Sequence, residues 1–225
     1  SEGKKTIIRN AVICYSGGDD LFIVGAWNEI IELAIDIQKK FALYTEGTLT
    51  LSAGIGIYRH NYPISVIAEE VADMESMSKS KAKKAAVTLF EDGIRHKELG
   101  QDGYYINISD GTFGWNELVD EVIAEKYNCI REFFDDAKER GINFLYNLLE
   151  LIRNQDDKIN FARIVYILSR LEPDKGAEKE VKEHYSRFSQ KIYKWVKAGG
   201  KDIRQLKVAM NMYSYMRRDK YNTEE

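Results

Sequence analysis

Two cysteines, two prolines and three histidines are all that this chain of 225 residues holds of those types, and each scarcity excludes something. Cys14 and Cys129 lie far apart, each in an apolar stretch, so a disulfide framework and a cysteine-based zinc site are both ruled out and the two read as reduced core residues. So few prolines, beside a substantial hydrophobic content, exclude a disordered or collagen-like chain. No apolar run approaches the roughly 18 to 20 residues that span a bilayer, and the polar stretch Ser1 to Lys5 is neither a signal peptide nor an anchor. A cytoplasmic protein without membrane contact is therefore expected. The formal net charge is small, −3.

What is there fits a globular protein: 44% hydrophobic and 31% charged residues, enough for two modest domains, each with its own core. The charge is unevenly shared. Residues 1–112 hold 12 basic and 16 acidic side chains, and residues 113–225 hold 21 and 20. The acidic first half suits a metal better than a phosphate. Lys201 to Lys220, with six basic residues against two acidic, is the one segment with a nucleic-acid character.

The first ninety residues read as ββαβαβ. Ala11 to Tyr15 and Leu21 to Gly25 are β-prone runs on either side of Ser16-Gly17-Gly18-Asp19-Asp20, the punctuation of a hairpin. Trp27, Ile30, Ile31, Ala34, Ile37 and Phe41 recur at helical spacing, which predicts a helix over Trp27 to Tyr44. Thr48 to Tyr58 is strand-like, Pro63 opens a helix running to about Lys83, and Ala86 to Phe90 is a further strand. From Gly93 to Gly114 the periodicity fails among glycines. The expected division is therefore a domain at 1–95, a linker at 96–114 and a helical domain at 115–225. The helices expected there are Trp115 to Glu139, Ile142 to Arg153, Ile159 to Leu171, Lys175 to Lys197 and Ile203 to Arg218, short-linked as in an antiparallel bundle. The fold class is α+β followed by an all-α bundle.

The chemistry is concentrated in Tyr15 to Gly25, Y-S-G-G-D-D-L-F-I-V-G. Glycines at the tip supply positive φ and let the backbone approach a ligand, while Asp19 and Asp20 are hard oxygen donors suited to Mg²⁺ or Mn²⁺. Neighbouring strand residues face opposite sides of a sheet, so both carboxylates serve one site only if the turn is bulged or the site straddles the hairpin edge. On the residues alone, an ordinary turn with two solvated carboxylates remains open.

In this context the sequence resembles the second palm domain of the large subunit of type III CRISPR effector complexes, of the Csm type, a relative of GGDEF diguanylate cyclases and class III adenylyl cyclases. Ser16 to Asp20 matches the family's G-G-D-D element. Gly54 to Pro63, GIGIYRHNYP, resembles its strand and turn, and Lys79 to Phe90 resembles its lysine-rich helix end and last strand. The cluster Phe113, Trp115 and Leu118 fits the opening of its helical domain. The resemblance implies a ferredoxin-like, nucleotidyl-cyclase palm that converts ATP into cyclic oligoadenylate, a second messenger of antiviral defence. It further implies Asp19 and Asp20 as catalytic metal ligands for Mg²⁺ or Mn²⁺, with Ser16, Gly17 and Gly18 against the nucleotide and Lys79 or Lys81 on its phosphates. Such palms draw another carboxylate from an earlier strand, and such subunits carry an upstream nuclease domain with a His-Asp pair and a first palm. None of these is found in this sequence, so catalysis is expected to need the N-terminal half of the same subunit.

The helical half has no triad, no cysteine and histidine spacing and no phosphate loop. Its aromatics, among them Phe133, Phe134, Phe188 and Trp195, read as core. Lys191, Lys194, Lys197, Lys201, Arg204 and Lys207 recur every three or four residues. They form a basic stripe, either a solvated face or a groove for guide or target RNA, if the Gly199-Gly200 break preserves the helical phase. The resemblance places this bundle along small subunits and guide RNA. Two further readings stay open. One is a catalytically silent assembly module binding RNA and small subunits. The other is a stand-alone diguanylate cyclase, against which stand Asp20 in place of Glu and the pair Tyr15, Ser16 before the glycines.

Overall fold

The computed structural model describes residues 8–81, 84–100, 102–135, 142–153 and 158–222. The chain forms two compact units, residues 1–115 and 116–225.

In the first unit the hairpin strands β1 (Ala11–Gly17) and β2 (Asp20–Gly25) precede α1 (Trp27–Tyr44). The expected long strand at 48–58 shrinks to β3 (Ala53–Ile55), after which come α2 (Ile64–Ser80) and β4 (Ala86–Leu89). The segment expected to be a linker is instead built structure: β5 (Arg95–Leu99), β6 (Tyr105–Ser109) and β7 (Thr112–Gly114). Its glycines mark turns within the first unit, and the boundary falls after Trp115. The strands form three small sheets, β1–β2, β3–β4–β7 and β5–β6. β3 runs parallel to β4, and β7 lies antiparallel on its other side.

β4 is central because every residue in it is apolar or a partnered hydroxyl. Ala86, Val87, Thr88 and Leu89 are all fully buried, with Phe113, Ile108, Ile55 and Met74 around them. α2 lies against this sheet so closely that a Cβ on Gly54 would stand 2.4 Å from the Val71 carbonyl oxygen and 2.8 Å from the Glu75 nitrogen. Only glycine lets β3 and α2 touch backbone to backbone. Trp115 closes the unit, its indole N–H donating to the Leu51 carbonyl at 2.8 Å.

Much of the β1–β2 hairpin is exposed, Val12, Ile13, Tyr15, Leu21 and Val24 included, while Phe22 and Ile23 are half-buried. Cys14 is therefore exposed as well, against expectation, while Cys129 is buried and its thiol is pushed up to about 11 by that burial. α1 is tied to the start of β1 by Arg9, whose guanidinium pairs with Glu32 and Asp36.

The second unit is helical, as expected. A π-helical segment Glu117–Tyr127 runs into α3 (Asn128–Asp135), and α4 (Ile142–Arg153), α5 (Lys158–Ser169), α6 (Lys179–Ala198) and α7 (Gly200–Asn222) follow. Residues 136–139 of the expected first helix lie outside the described residues. α7 is the hub, burying Ile203, Leu206, Val208, Ala209, Met210, Met212 and Tyr213 against the π-segment, α3, α4 and α6. The aromatics are core: Phe133 stacks on Phe188 with centroids 3.8 Å apart, and Phe134 meets Phe188 edge-on.

The basic stripe does not form. Gly199 and Gly200 adopt φ of 69° and 48°, which breaks the helical phase between α6 and α7. Lys201 turns to Glu121 at 2.7 Å and Glu117 at 3.9 Å, and Lys207 is buried. Only Lys194 and Lys197 of the six stay well exposed without an ion pair among the described residues. No described helix is long and apolar enough to cross a membrane.

Candidate functional site

The Gly-Gly-Asp-Asp element sits at the tip of the β1–β2 hairpin. Register pairs Ser16 with Leu21 and Gly17 with Asp20, so Gly18 and Asp19 form a two-residue loop. Gly18 has φ +62°, the conformation that lets so short a loop follow the twist of the strands. Asp19 therefore belongs to the loop and Asp20 to the first position of β2. Strand alternation does not separate the two carboxylates. A bulge at Cys14, between the pairs Ile13 with Ile23 and Tyr15 with Phe22, re-aims the last residues of β1. The tip is open: Ser16, Gly18, Asp19 and Asp20 are exposed, and nothing lies within 4 Å of a Cβ on Gly18. A Cβ on Gly17 would meet the Tyr15 hydroxyl at 2.6 Å and its ring at 2.9 Å.

The end of α2 supplies a cation that feels the charge of both carboxylates. Lys79 is held by Glu75 one turn back, at 2.9 Å. Its ammonium is raised above the usual lysine range chiefly by that carboxylate and further by the charges of Asp20 and Asp19. Lys81 goes elsewhere. Its Nζ donates to Glu98 at 2.5 Å and its backbone bridges to Gly100. Of the two lysines expected on phosphates, the structure brings Lys79 toward the carboxylates and commits Lys81 to the β5–β6 hairpin. His60 is an exposed turn residue.

Asp19 and Asp20 fit a hard divalent cation in donor type, giving two of the roughly six oxygens that Mg²⁺ takes. Among the described residues no group of three or more His, Cys, Asp or Glu side chains is arranged for a metal. The remaining donors would be water, phosphate oxygens or a carboxylate from elsewhere.

Residues missed by sequence reasoning are Glu75 and the network His96, Glu98 and Asp110. His96 bridges Asp110 (3.1 Å) and Glu98 (3.2 Å), and the His96 and Lys81 hydrogen bonds draw Glu98 down to about 2. Glu75 was legible as an i, i+4 partner of Lys79. The other three were hidden by reading their segment as a linker.

Residues 2–88 match the second palm domain of Cas10/Cmr2, and residues 131–219 match the second helical domain of the Cmr2 subunit of the CRISPR RNA silencing complex. The chain belongs to the Cas10/Cmr2 family. It is 40% identical over 210 residues to the Mycobacterium tuberculosis CRISPR system single-strand-specific deoxyribonuclease Cas10/Csm1 of subtype III-A, which covers 93% of this chain and 23% of the relative. It is 34% identical over 205 residues to the Streptococcus thermophilus Cas10/Csm1, covering 90% of this chain and 24% of that one. The crystal structure of Csm1 from T. onnurineus superposes with a TM-score of 0.51 at 24% identity, over 88% of this chain and 28% of that one. That likeness bears on the fold: a palm followed by a helical domain. The chain thus spans about a quarter of the length of its curated Cas10/Csm1 relatives, and its two matched regions lie one in each compact unit.

Proposed function

We propose that this chain is the nucleotidyltransferase palm and adjoining helical domain of a type III CRISPR effector subunit, and that the palm turns ATP into cyclic oligoadenylate. The observation that supports this most is the Gly17-Gly18-Asp19-Asp20 turn. It puts two carboxylates at a bare, open hairpin tip, within electrostatic reach of Lys79 on α2. Asp19 and Asp20 would hold Mg²⁺ or Mn²⁺, which when bound neutralises triphosphate charge and makes an attacking hydroxyl easier to deprotonate. The open backbone at Gly18 lets a nucleotide approach without a side chain in the way. Lys79 attracts its phosphates by charge. Other subunits of the complex, small subunits among them, are the proposed partners, since the relatives' names place them in CRISPR systems. RNA contact in the helical domain would rest on Lys194 and Lys197 of α6 rather than on a stripe shared with α7.

The test is calorimetric titration with ATP and with GTP, with and without Mn²⁺, on this chain and on the assembled complex. Manganese-dependent binding that prefers ATP is expected in the complex. Preference for GTP would favour a diguanylate cyclase, and metal-independent or absent binding in the complex would favour an assembly module.

A further inference from the structure

The last turn of α2 is held from two sides. Ser78 anchors it inward, its hydroxyl bonded to Thr88 and to the Ala53 carbonyl, each at 2.8 Å. Beyond Ser78 the helix has little of its own to end on. The capping residue Lys81 is extended, with ψ 144°, and its N–H reaches the Ser78 carbonyl at 3.3 Å. No glycine follows it to supply a left-handed stop. A helix end of this kind frays unless something outside the helix takes hold of it. The β5–β6 hairpin does so. Lys81 bridges to Gly100 through the backbone, and its Nζ meets Glu98 Oε1 at 2.5 Å, the two side chains being 19% and 27% exposed. Glu98 is steadied in turn: its other oxygen lies 3.2 Å from His96 Nε2, and His96 Nδ1 lies 3.1 Å from Asp110 Oδ1. The Asp110 N–H donates to the Ile94 carbonyl at the foot of β5. The line Asp110, His96, Glu98, Lys81 thus crosses the hairpin to the exit of α2. Between the two anchors stand Lys79 and Ser80, and Lys79 is the cation on which Asp19 and Asp20 act.

We infer that Glu98 is a positioning residue for the nucleotide: through Lys81 it fixes the last turn of α2, and with it the reach of Lys79 toward the phosphates. The inference rests on the nucleotidyl-transfer reading and adds to it a residue that touches no substrate. Two features favour this role over a direct phosphate contact by Lys81. The lysine is bound to the hairpin by its backbone as well as by its side chain. Swinging its ammonium away would also leave the part-buried Glu98 carboxylate with one cation fewer, which is costly. Lys79 is placed differently, with a side chain 53% exposed on a turn fixed at both ends. A flexible four-carbon stem binds an anion better when its root does not move, because less freedom is lost on binding.

The test is oligoadenylate synthesis by the assembled complex as a function of ATP concentration, for Glu98→Gln, Lys81→Met and the double variant. Each single change is expected to raise KM for ATP about threefold to tenfold with kcat within about twofold, the pattern of lost binding rather than lost chemistry. The double variant is expected to be no worse than either single one, because the two residues act as a unit. Hydrogen exchange of the amides of residues 76–81 in this chain is expected to quicken in the same variants. It should keep the parent rate in Lys97→Ala, a control on the same strand whose exposed side chain makes no ion pair among the described residues. If Lys81 itself touches phosphate, Glu98→Gln frees it and lowers KM while Lys81→Met raises it. That pattern, additive losses in the double variant, or an unchanged KM in Glu98→Gln would each overturn the inference and leave the nucleotidyl-transfer reading standing. A parent complex that makes no oligoadenylate would overturn that reading, and the positioning role with it.

Discussion

Ser78 on α2 and Thr88 on β4 share a 2.8 Å hydrogen bond in the buried heart of the first unit. Thr88 continues the chain to Thr112 on β7, again at 2.8 Å, and Ser78 also donates toward the Ala53 carbonyl of β3 at 2.8 Å. Four elements are thereby fastened through three hydroxyls that see no solvent. The relay sits one residue before Lys79, so it also fixes the end of α2 that carries this lysine. Replacing Thr88 by Val keeps the shape but takes from the buried Thr112 hydroxyl its Thr88 partner, while Ser78 keeps the Ala53 carbonyl. The expected loss is about 1–3 kcal/mol, read by denaturant unfolding. Ser78→Ala should lose less, because Thr88 keeps Thr112.

Gly54 tests the same seat from the other side. A methyl there would meet backbone atoms of α2, which have no rotamer through which to escape. Gly54→Ala should cost about 1–3 kcal/mol by overpacking. Where ATP binding is measured, it should also weaken that binding by displacing Lys79. A variant as stable as the parent would mean that α2 slides freely over β3.

At the turn, Asp19→Ala with Asp20→Ala should abolish nucleotidyl transfer in the assembled complex. Folding should be unaffected, because both residues are exposed and neither caps nor packs. Removing two neighbouring like charges relieves repulsion. Retained oligoadenylate synthesis by the double variant would end the metal-ligand reading.

How much of this was legible follows from which residues bury something. The helix Trp27–Tyr44 was readable end to end because its apolar residues keep a 3.6 period, and the tip of the hairpin was readable because Gly-Gly-Asp-Asp is turn chemistry flanked by β-prone runs. The strand at 48–58 was overread. Its apolar alternation continues into a stretch where Tyr58 folds its ring back over Gly56, and pairing ends at Ile55. β5 and β6 were missed because Arg-His-Lys-Glu-Leu has no apolar alternation: its inner positions are a histidine and a glutamate that satisfy one another. The lysine stripe failed for a reason periodicity does not carry, since two glycines at positive φ reset the phase. Glu117–Tyr127 was expected as part of a helix, and what the sequence did not carry is that it winds as a π-helix, held by polar contacts with Gln205 donating to both Glu117 and Glu121.

The His96 network predicts an acid-sensitive hairpin. Glu98 is drawn down to about 2 by hydrogen bonds from His96 and Lys81, below the 4.5 it has in an unstructured chain. A carboxylate lowered in the folded state contributes stability that is full above its unfolded value and is lost as pH falls through the folded one. Protection of the β5–β6 amides from hydrogen exchange should therefore hold at pH 6 and fall between about pH 5 and pH 2. Glu98→Gln should show the lower protection already at neutral pH and little further change above pH 4. Equal pH profiles for parent and variant would show that the ion pairs do not anchor the hairpin.

Lys126 gives the sharpest contrast between losing a charge and losing a partner. Its side chain is almost wholly buried on the π-segment, with Nζ 3.0 Å from Asp202 and 3.2 Å from Glu125, and 5.1 Å from the centre of the Trp195 ring. Lys126→Ala should destabilise the helical unit by about 3 kcal/mol or more, because it opens a cavity beside Leu118, Val122 and Trp195 and removes the cation from Asp202. Lys126→Met fills the same space. Asp202 and Glu125 are each about a third or more exposed, so water can solvate the carboxylates that the cation leaves behind. The methionine variant should therefore retain most of the stability, within about 1.5 kcal/mol of the parent. Chemical denaturation followed by Trp195 fluorescence separates the two. If methionine proves as damaging as alanine, the buried ammonium itself, rather than the volume it fills, holds the π-segment to α7.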